Sequence, residues 1–398
     1  MRKTLKQAAA CLLAVLLLGS GLGASAAPKS KTLEQWMEGF ASGESWFGEN
    51  YAYDITDTAA CWELLQRPVT VLDVGEREVV YPLAEPGGKK VNNDLYGGYI
   101  AGTTAAVHAL GQDEGGWTLI EGLDCYDRLI RGYVKTKLLK TVTPNPTYGI
   151  IVDKLTQRLY VFKDGELFSD CGVSTGLPNK KEPYNETASG EYLISSWVGD
   201  FENEGMVCAK ALRFNNGDLF HEVPYILLGD GTKRYSKFEA QLGQKASHGC
   251  IRVARLPNAQ GLCQNWLWDN IKKGTKVVIW DDDGRAYPYP APDTQLFYNT
   301  KGGKYYHAVE DCSGVRKTYL PLTGFSYAQM GETPFSKLEP CPHCVPVRSK
   351  SWIDQYNAAR GFLPEGPVVE AFAQEEAGNG DAGGAVEHAV EITIIPAS

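Results

Sequence analysis

Beyond its first two dozen residues the chain has no apolar run long enough to cross a bilayer, a task that takes about 20 consecutive apolar residues. A spanning helix is therefore excluded for the body of the protein. Positive charge is also in deficit. With 39 Lys and Arg against 48 Asp and Glu, the formal net charge is −9, so bulk attraction to nucleic acid or to an anionic lipid surface is not how this chain finds a partner. No internal repeat is visible, and the 398 residues suggest two or three separate domains. Histidine is scarce, at six residues, so a histidine beside a cysteine carries information. What remains, 43% hydrophobic and 22% charged, is the composition of an ordinary globular protein.

The start of the chain is an exception to its polarity. Arg2, Lys3 and Lys6 precede an apolar run from Ala8 to Leu18, and the small residues Ala24, Ser25 and Ala26 follow. That order is the layout of a secretory signal peptide, residues 1–26, with cleavage before Ala27. The alternative, a membrane anchor, needs a longer apolar core. Export followed by removal of this segment predicts a secreted, extracytoplasmic protein with no lasting membrane span.

The rest reads as a mostly β, multidomain chain. From 67 to 140, "VTVLDV", "REVVYPL", "AAVHAL", "GWTLIEG" and "RGYVKTKLL" are short runs of β-branched and aromatic residues bounded by Gly, Asp and Asn. The last two resemble the end of a bacterial Src-homology-3-like barrel, which implies a small β barrel. His108, inside "AAVHAL", reads as structural. Two prolines in "TVTPNPTYG" mark a linker. A second strand-rich block runs from 147 to 281. Here "GIIVDKLTQRLYVFKDGELFSDCGVSTG" predicts two strands joined at Lys163-Asp164-Gly165, and "TKVVIW" predicts a closing strand. Leu262, Trp266 and Ile271 fall at helical spacing. A proline-rich stretch, 283–295, separates this block from a compact cysteine- and aromatic-rich piece at 296–350. "SWIDQYNAARGF" predicts a short helix, and 373–398 a disordered tail with one late apolar strand.

Within the second block, "KASHGCIRVAR" sets Ser247, His248, Gly249 and Cys250 in a row. Three readings compete. An imidazole can take the proton of a thiol and so activate it as a nucleophile, with His248 two residues away and His221, in "DLFHEVPY", available if the fold brings it near. Gly249 leaves backbone amides uncrowded enough to hold an oxyanion. A zinc site on His248 and Cys250 would have to recruit Cys208 and His221, a spacing that matches no common zinc pattern. A disulfide from Cys250 to Cys263 or Cys208 is the third, since exported cysteines often pair.

The stretch "ASHGCIRV" resembles the signature of L,D-transpeptidases of the YkuD type: a histidine, a spacer, Ser/Thr-His-Gly-Cys, an apolar residue, then Asn or Arg. These are His221, Ser247, His248, Gly249, Cys250, Ile251 and Arg252. "CGVSTG" and "TASGEYLIS" resemble two further stretches of that family. The resemblance implies a YkuD-type β sandwich with one helix behind the motif, and no cofactor for catalysis. It implies attack by Cys250 on the bond after the third, L-centred residue of a peptidoglycan stem peptide, release of a D-amino acid, and crosslinking to the side-chain amine of another stem. His221 becomes the base, oriented by the carbonyl of Glu222. The amides of Gly249 and Cys250 hold the oxyanion. His248, Ser247 and Arg252 shape the site and meet the donor. The spacer between His221 and Ser247 is longer than the family's usual one, which predicts an extended loop over the site. The alternatives are an L,D-carboxypeptidase or endopeptidase that hydrolyses the same bond, and a wall-binding protein with an inactive catalytic block.

A second cluster, "KYYHAVEDC" with "LEPCPHC", sets His307, Cys312, Cys341 and Cys344 in an H-x4-C…C-x2-C order. A C-x2-C knuckle turns two sulfurs toward one ion, and a distant pair completes four ligands. The order resembles small "YHxxxC…PCxxC" zinc modules, which implies a structural zinc ion. Disulfide pairing is the alternative, and His343 is a substitute ligand for His307. Cys61 and Cys125 flank the first β module and suit a staple across it.

Overall fold

A computed structural model describes residues 54–92, 97–112, 115–124 and 126–362. The signal segment 1–26, Cys125 and the tail 373–398 lie outside the described residues. The fold is mostly β and multidomain, with its strands in order along the chain.

The first unit is a five-stranded sheet in the order β6-β5-β4-β1-β7. Its strands are β1 (Val69–Leu72), β4 (Ala106–Gln112), β5 (Trp117–Leu123), β6 (Leu129–Lys135) and β7 (Leu139–Val142), and a short ladder of β2 (Val79–Val80) and β3 (Ile100–Ala101) lies beside it. Alternation does the work in β6, where Ile130 and Val134 point inward and Leu129 and Lys135 outward. This unit is not a free bead. Ile100, Ala101, Ala105, Val107, Ile120 and Val134 belong to the same apolar core as the strands of the next block, and Leu193 N–H donates to Thr104 O at 3.0 Å.

The second unit is built on nine strands in the order β11-β18-β8-β9-β10-β17-β14-β13-β12. These are β8 (Tyr148–Asp153), β9 (Arg158–Lys163), β10 (Glu166–Ser174), β11 (Gly190–Leu193), β12 (Ser196–Asn203), β13 (Met206–Arg213), β14 (Leu219–Glu222), β17 (Ile251–Val253) and β18 (Lys276–Trp280). The sheet folds over a core in which Val161, Val173, Phe214, Phe220, Ile251 and Val277 are fully buried; each such side chain contributes roughly 1.5–3 kcal/mol. The turn at Asp164-Gly165 joins β9 to β10 as the sequence predicts, with both residues at positive φ. The segment before it holds two strands, not one. The turn between β8 and β9 has neither Gly nor Pro, and the Asp153 carboxylate makes it by accepting from Leu155 N–H (3.0 Å) and Thr156 O–H (2.9 Å). The strand 276–280, expected to close the block, lies between β11 and β8, and all five of its residues are buried.

A helix the sequence reading did not anticipate, α1 (Thr58–Gln66), precedes the first sheet yet packs on the second. Cys61, Leu64 and Leu65 sit against Ile151, Phe162, Val278 and Trp280. Its C-terminal carbonyls, Leu64 O and Arg67 O, accept from the buried Lys276 ammonium at 2.7 and 3.1 Å, a cation placed where the helix dipole favours one. Cys61 is a free thiol in that helix, so it does not staple the first sheet.

The long spacer between His221 and Ser247 is folded. It forms a small hairpin, β15 (Ile226–Leu227) with β16 (Lys233–Arg234), then the single turn α2 (Ser236–Glu239). Phe238 and Leu242 anchor it among Met206, Val223, Ala254 and Val345. The helix expected behind the Cys250 motif is α3 (Gln264–Asn270), with Leu262, Leu267 and Ile271 in the main core and Trp266 stacked on Phe168 at 4.8 Å.

The third unit is a four-stranded sheet in the order β21-β19-β20-β22, from β19 (Gln295–Tyr298), β20 (Tyr305–His307), β21 (Thr323–Ser326) and β22 (Glu339–Pro340). The proline-rich stretch before it is not a loose tether. Helix α4 (Lys350–Ala359) packs on it through Trp352, Ile353 and Tyr356 against Tyr287. Asn357 closes the contact, accepting from Tyr287 N–H at 2.7 Å and donating to Tyr287 O at 3.0 Å.

Candidate active site and a second cysteine centre

Strand pairing brings the two halves of the motif together. β14 and β17 run parallel, with His221 opposite Arg252 and Phe220 opposite Ile251. Carried back one residue, the register sets Cys250 beside Leu219. Side chains on one face recur every second residue, so Cys250, Arg252 and His221 emerge on the same side of adjacent strands, the sulfur diagonal to the imidazole. The Leu219 N–H points at the sulfur and works against the upward shift of its pKa.

His221 is 3% exposed. Its Nδ1 lies 2.7 Å from the Glu222 carbonyl. A carbonyl only accepts, so Nδ1 carries the hydrogen and Nε2 is left as the acceptor. Burial, reinforced by the Arg252 charge, lowers the His221 pKa to about 4. Burial and the neighbouring Asp218 carboxylate push the Cys250 thiol up to about 12. At neutral pH the resting pair is therefore thiol and neutral imidazole, both uncharged.

The turn that presents the sulfur is held from within. The Ser247 hydroxyl donates to the Cys250 carbonyl and accepts from Gly249 N–H at 3.3 Å, so the Gly249 amide has a partner inside the turn. Gly249 has φ +116°, and a Cβ there would come within 2.6 Å of Asp218 Oδ1; only glycine suits both the backbone and the space. His248 is exposed at the cleft. Arg252 is buried on the same side as His221 and Cys250, near enough for its charge to act on both. Its guanidinium donates to Gln241 Oε1 at 2.7 Å and lies over the Phe238 ring, so it braces the folded spacer as well, a role absent from the sequence reading. Cys208 and Cys263 are free thiols, as is Cys250, which removes the disulfide reading. Asp218 was missed in the sequence: its only signal is a place three residues before His221, and nothing in that spacing foretells that it abuts Gly249.

The other cysteine centre closes on itself. The ligand atoms of His307, Cys312, Cys341 and Cys344 all lie within 4.8 Å of one another. Cys312 Sγ and Cys341 Sγ are 3.9 Å apart, and Cys344 Sγ is 3.7 Å from His307 Nδ1. A disulfide would bring two sulfurs to about 2.05 Å. A tetrahedral ion with sulfur at about 2.3 Å and nitrogen at about 2.0 Å spaces its ligands about 3.5–3.8 Å apart, far closer to these two separations than a disulfide is. The Ala308 N–H donates to Cys344 Sγ at 3.3 Å, an outer contact that orients a ligand. His343 packs on Gly314 instead. The knuckle is docked on the second unit: Val345 fits against Gly172 and Gly243, where a Cβ would meet it at 2.2 and 2.6 Å, and Arg158 donates to Val345 O at 2.7 Å.

Comparison with known proteins bears on the middle unit. The chain is 31% identical over 138 residues to the protein named "Putative L,D-transpeptidase YciB" of Bacillus subtilis (strain 168), covering 33% of this chain and 64% of that one; it thus spans less than two thirds of this relative's length. Among solved structures it is similar to an L,D-transpeptidase from Mycobacterium smegmatis, with 15% identity over 55% of this chain and 92% of that one and a TM-score of 0.27. It is also similar to the L,D-transpeptidase (residues 123–326) from Xylanimonas cellulosilytica DSM 15894, with 20% identity over 34% of this chain and 61% of that one and a TM-score of 0.23. Residues 147–279, which hold both Cys250 and His221, match the family model of the YkuD L,D-transpeptidase catalytic domain.

Proposed function

We propose that the protein is an exported peptidoglycan L,D-transpeptidase. Cys250 is the nucleophile and His221 its base. The observation that carries this reading is the pairing of β14 with β17, which sets a buried imidazole, its Nδ1–H fixed on the Glu222 carbonyl, diagonal to the sulfur of a glycine-turned cysteine. With both groups uncharged at rest, attack on the carbonyl of the L-centred third residue of a stem peptide is coupled to proton transfer from Sγ to Nε2. Burial and Arg252 make the imidazolium short-lived, so the proton passes on to the leaving D-amino acid. The Cys250 amide holds the oxyanion, and the Gly249 amide joins it on leaving its 3.3 Å contact with Ser247. Ser247 keeps the turn's shape, and His248 lines the cleft beside the sulfur. A second stem's side-chain amine then resolves the thioester; with water in its place the enzyme is a carboxypeptidase.

In this reading His307, Cys312, Cys341 and Cys344 hold a structural zinc ion, which supplies cross-linking and no chemistry. Four protein ligands leave it no open position. The signal-like start, 1–26, delivers the chain to the wall.

The test is mass spectrometry of the full chain mixed with tetrapeptide stems carrying lysine or meso-diaminopimelate at the third position. A covalent adduct on Cys250, with loss of the terminal D-alanine, is expected. Failure of both stems to acylate the protein, with the chain folded, would remove this reading and leave the wall-binding alternative.

A further inference from the structure

A pocket of about 300 Å³ lies between the first sheet unit and the catalytic block. Ala101, Ala105 and Leu123 line it from the first unit, and Tyr184, Asp218 and His248 from the second. Gly217, also in its wall, has its carbonyl 3.9 Å from Cys250 Sγ, so the pocket opens beside the thiol. Its first-unit side sets Ala101, Ala105 and Leu123 beside Tyr99 and Asp124, and its other side holds the Asp218 carboxylate, pressed against Gly249. The wall is fixed, because Ala105 bridges to Tyr192 and the two units share one core.

We propose that this composite pocket receives an aliphatic primary amine and that Asp218 takes its proton, making Asp218 a catalytic residue for aminolysis of the acyl-enzyme. The proposal rests on the acyl-transfer reading above. An amine arrives as an ammonium ion, which cannot attack. Asp218 accepts one proton and the free amine adds to the thioester carbonyl. The C–S bond then breaks, and the second nitrogen proton passes through His221 to the departing sulfur, leaving an amide and a thiol. A chain of a few methylenes suits the alanine and leucine wall, and the carboxylate attracts the cation.

The charges that face Asp218 fit this role. Burial raises its pKa to about 7, Asn215 opposes that by hydrogen bonding, and Glu186 adds to it. His248 lies across the pocket, and Asp124 is already bound by Arg128 at 2.7 Å. The group therefore changes charge near the pH at which it must accept a proton.

The experiment uses the full chain, the two tetrapeptide donors and Nα-acetyl-lysine amide as the acceptor probe, with the ratio of amide to hydrolysis product read by mass spectrometry. Because Asp218 also stands beside the thiol, acylation and transfer are read separately in Asp218→Asn. This variant should lower the amide-to-hydrolysis ratio about a hundredfold and abolish the rise of aminolysis through pH 7. Ala101→Leu, which fills the pocket from the other unit, should raise the acceptor KM severalfold and by more than it changes the donor KM. A ratio unchanged in both variants, or an Asp218→Asn loss equal in acylation and transfer, overturns the proposal while the acyl-transfer reading stands. If neither donor acylates the unaltered protein, both readings fall together.

Discussion

Two sites in this chain use the same two residue types to opposite ends. At the Cys250 site one thiol meets one imidazole at the edge of a cleft, and its surroundings keep both neutral: burial lowers His221 to about 4 and raises Cys250 to about 12. At the C-terminal centre three thiols and one imidazole converge, and donation from Cys312 and Cys344 drives the Cys341 thiol strongly down. A cysteine facing a neutral acceptor across an open cleft is poised to react. Cysteines that crowd one another inside a closed shell are poised to bind. The number of groups that converge and whether the shell is closed separate the two, not the residue types.

The largest effect expected of any change is at the closed centre. Chelation, or Cys341→Ser, should unfold 296–350, because structural zinc contributes on the order of 10 kcal/mol to small modules. Elemental analysis should give one zinc per chain, and its absence in folded protein would dissolve the contrast. Next comes the open centre. Cys250→Ser should lower acyl transfer at least about a thousandfold, roughly 4 kcal/mol in barrier, with the circular dichroism spectrum unchanged; a folded variant that still turns over at the original rate would refute the assignment.

A smaller effect sharpens the electrostatic half of the comparison. His221 has a folded pKa below its unfolded one, so its contribution to stability is complete above about pH 6.5 and is lost as pH falls toward about 4. Chemical denaturation of His221→Gln should lack that part of the acid slope, while the acid limb of acylation in the unaltered protein should lie near pH 4. The smallest effect tests whether the two centres are mechanically joined. Val345→Ala removes the side chain wedged on Gly172 and Gly243 and should cost about 1–2 kcal/mol, read as a shift in the denaturation midpoint. A shift in acylation rate as well would show that the docked knuckle also steadies the spacer that leads to Ser247.

Much of this was open to reading in one dimension. The strands of the first unit and the turn at Asp164-Gly165 follow from β-branched runs and from residues that tolerate positive φ, which are local preferences. The order Ser-His-Gly-Cys marked the proposed nucleophile, and the H-x4-C…C-x2-C spacing marked four residues that converge, because short spacings fix which side chains can share a turn. The spacer before Ser247 was visible as an insertion but not as a hairpin and helix anchored by Phe238 and Leu242. Helix α1 was unseen as a member of the catalytic block, since its partner Lys276 lies far along the chain.

The sequence by itself determined the chemistry available: which thiol, which imidazoles, which knuckle, and a mostly β chain to carry them. Only the tertiary structure decided their use. Parallel pairing of β14 with β17 selected His221 over His248 as the neighbour with a fixed tautomer. The close approach of Asp218 to Gly249 put a carboxylate beside the sulfur. Packing of the first sheet into the common core made a separate unit into one wall of the cleft. Each of these rests on contact between residues distant in the chain, and such contacts arise from burying a shared apolar surface, a condition that no local spacing encodes.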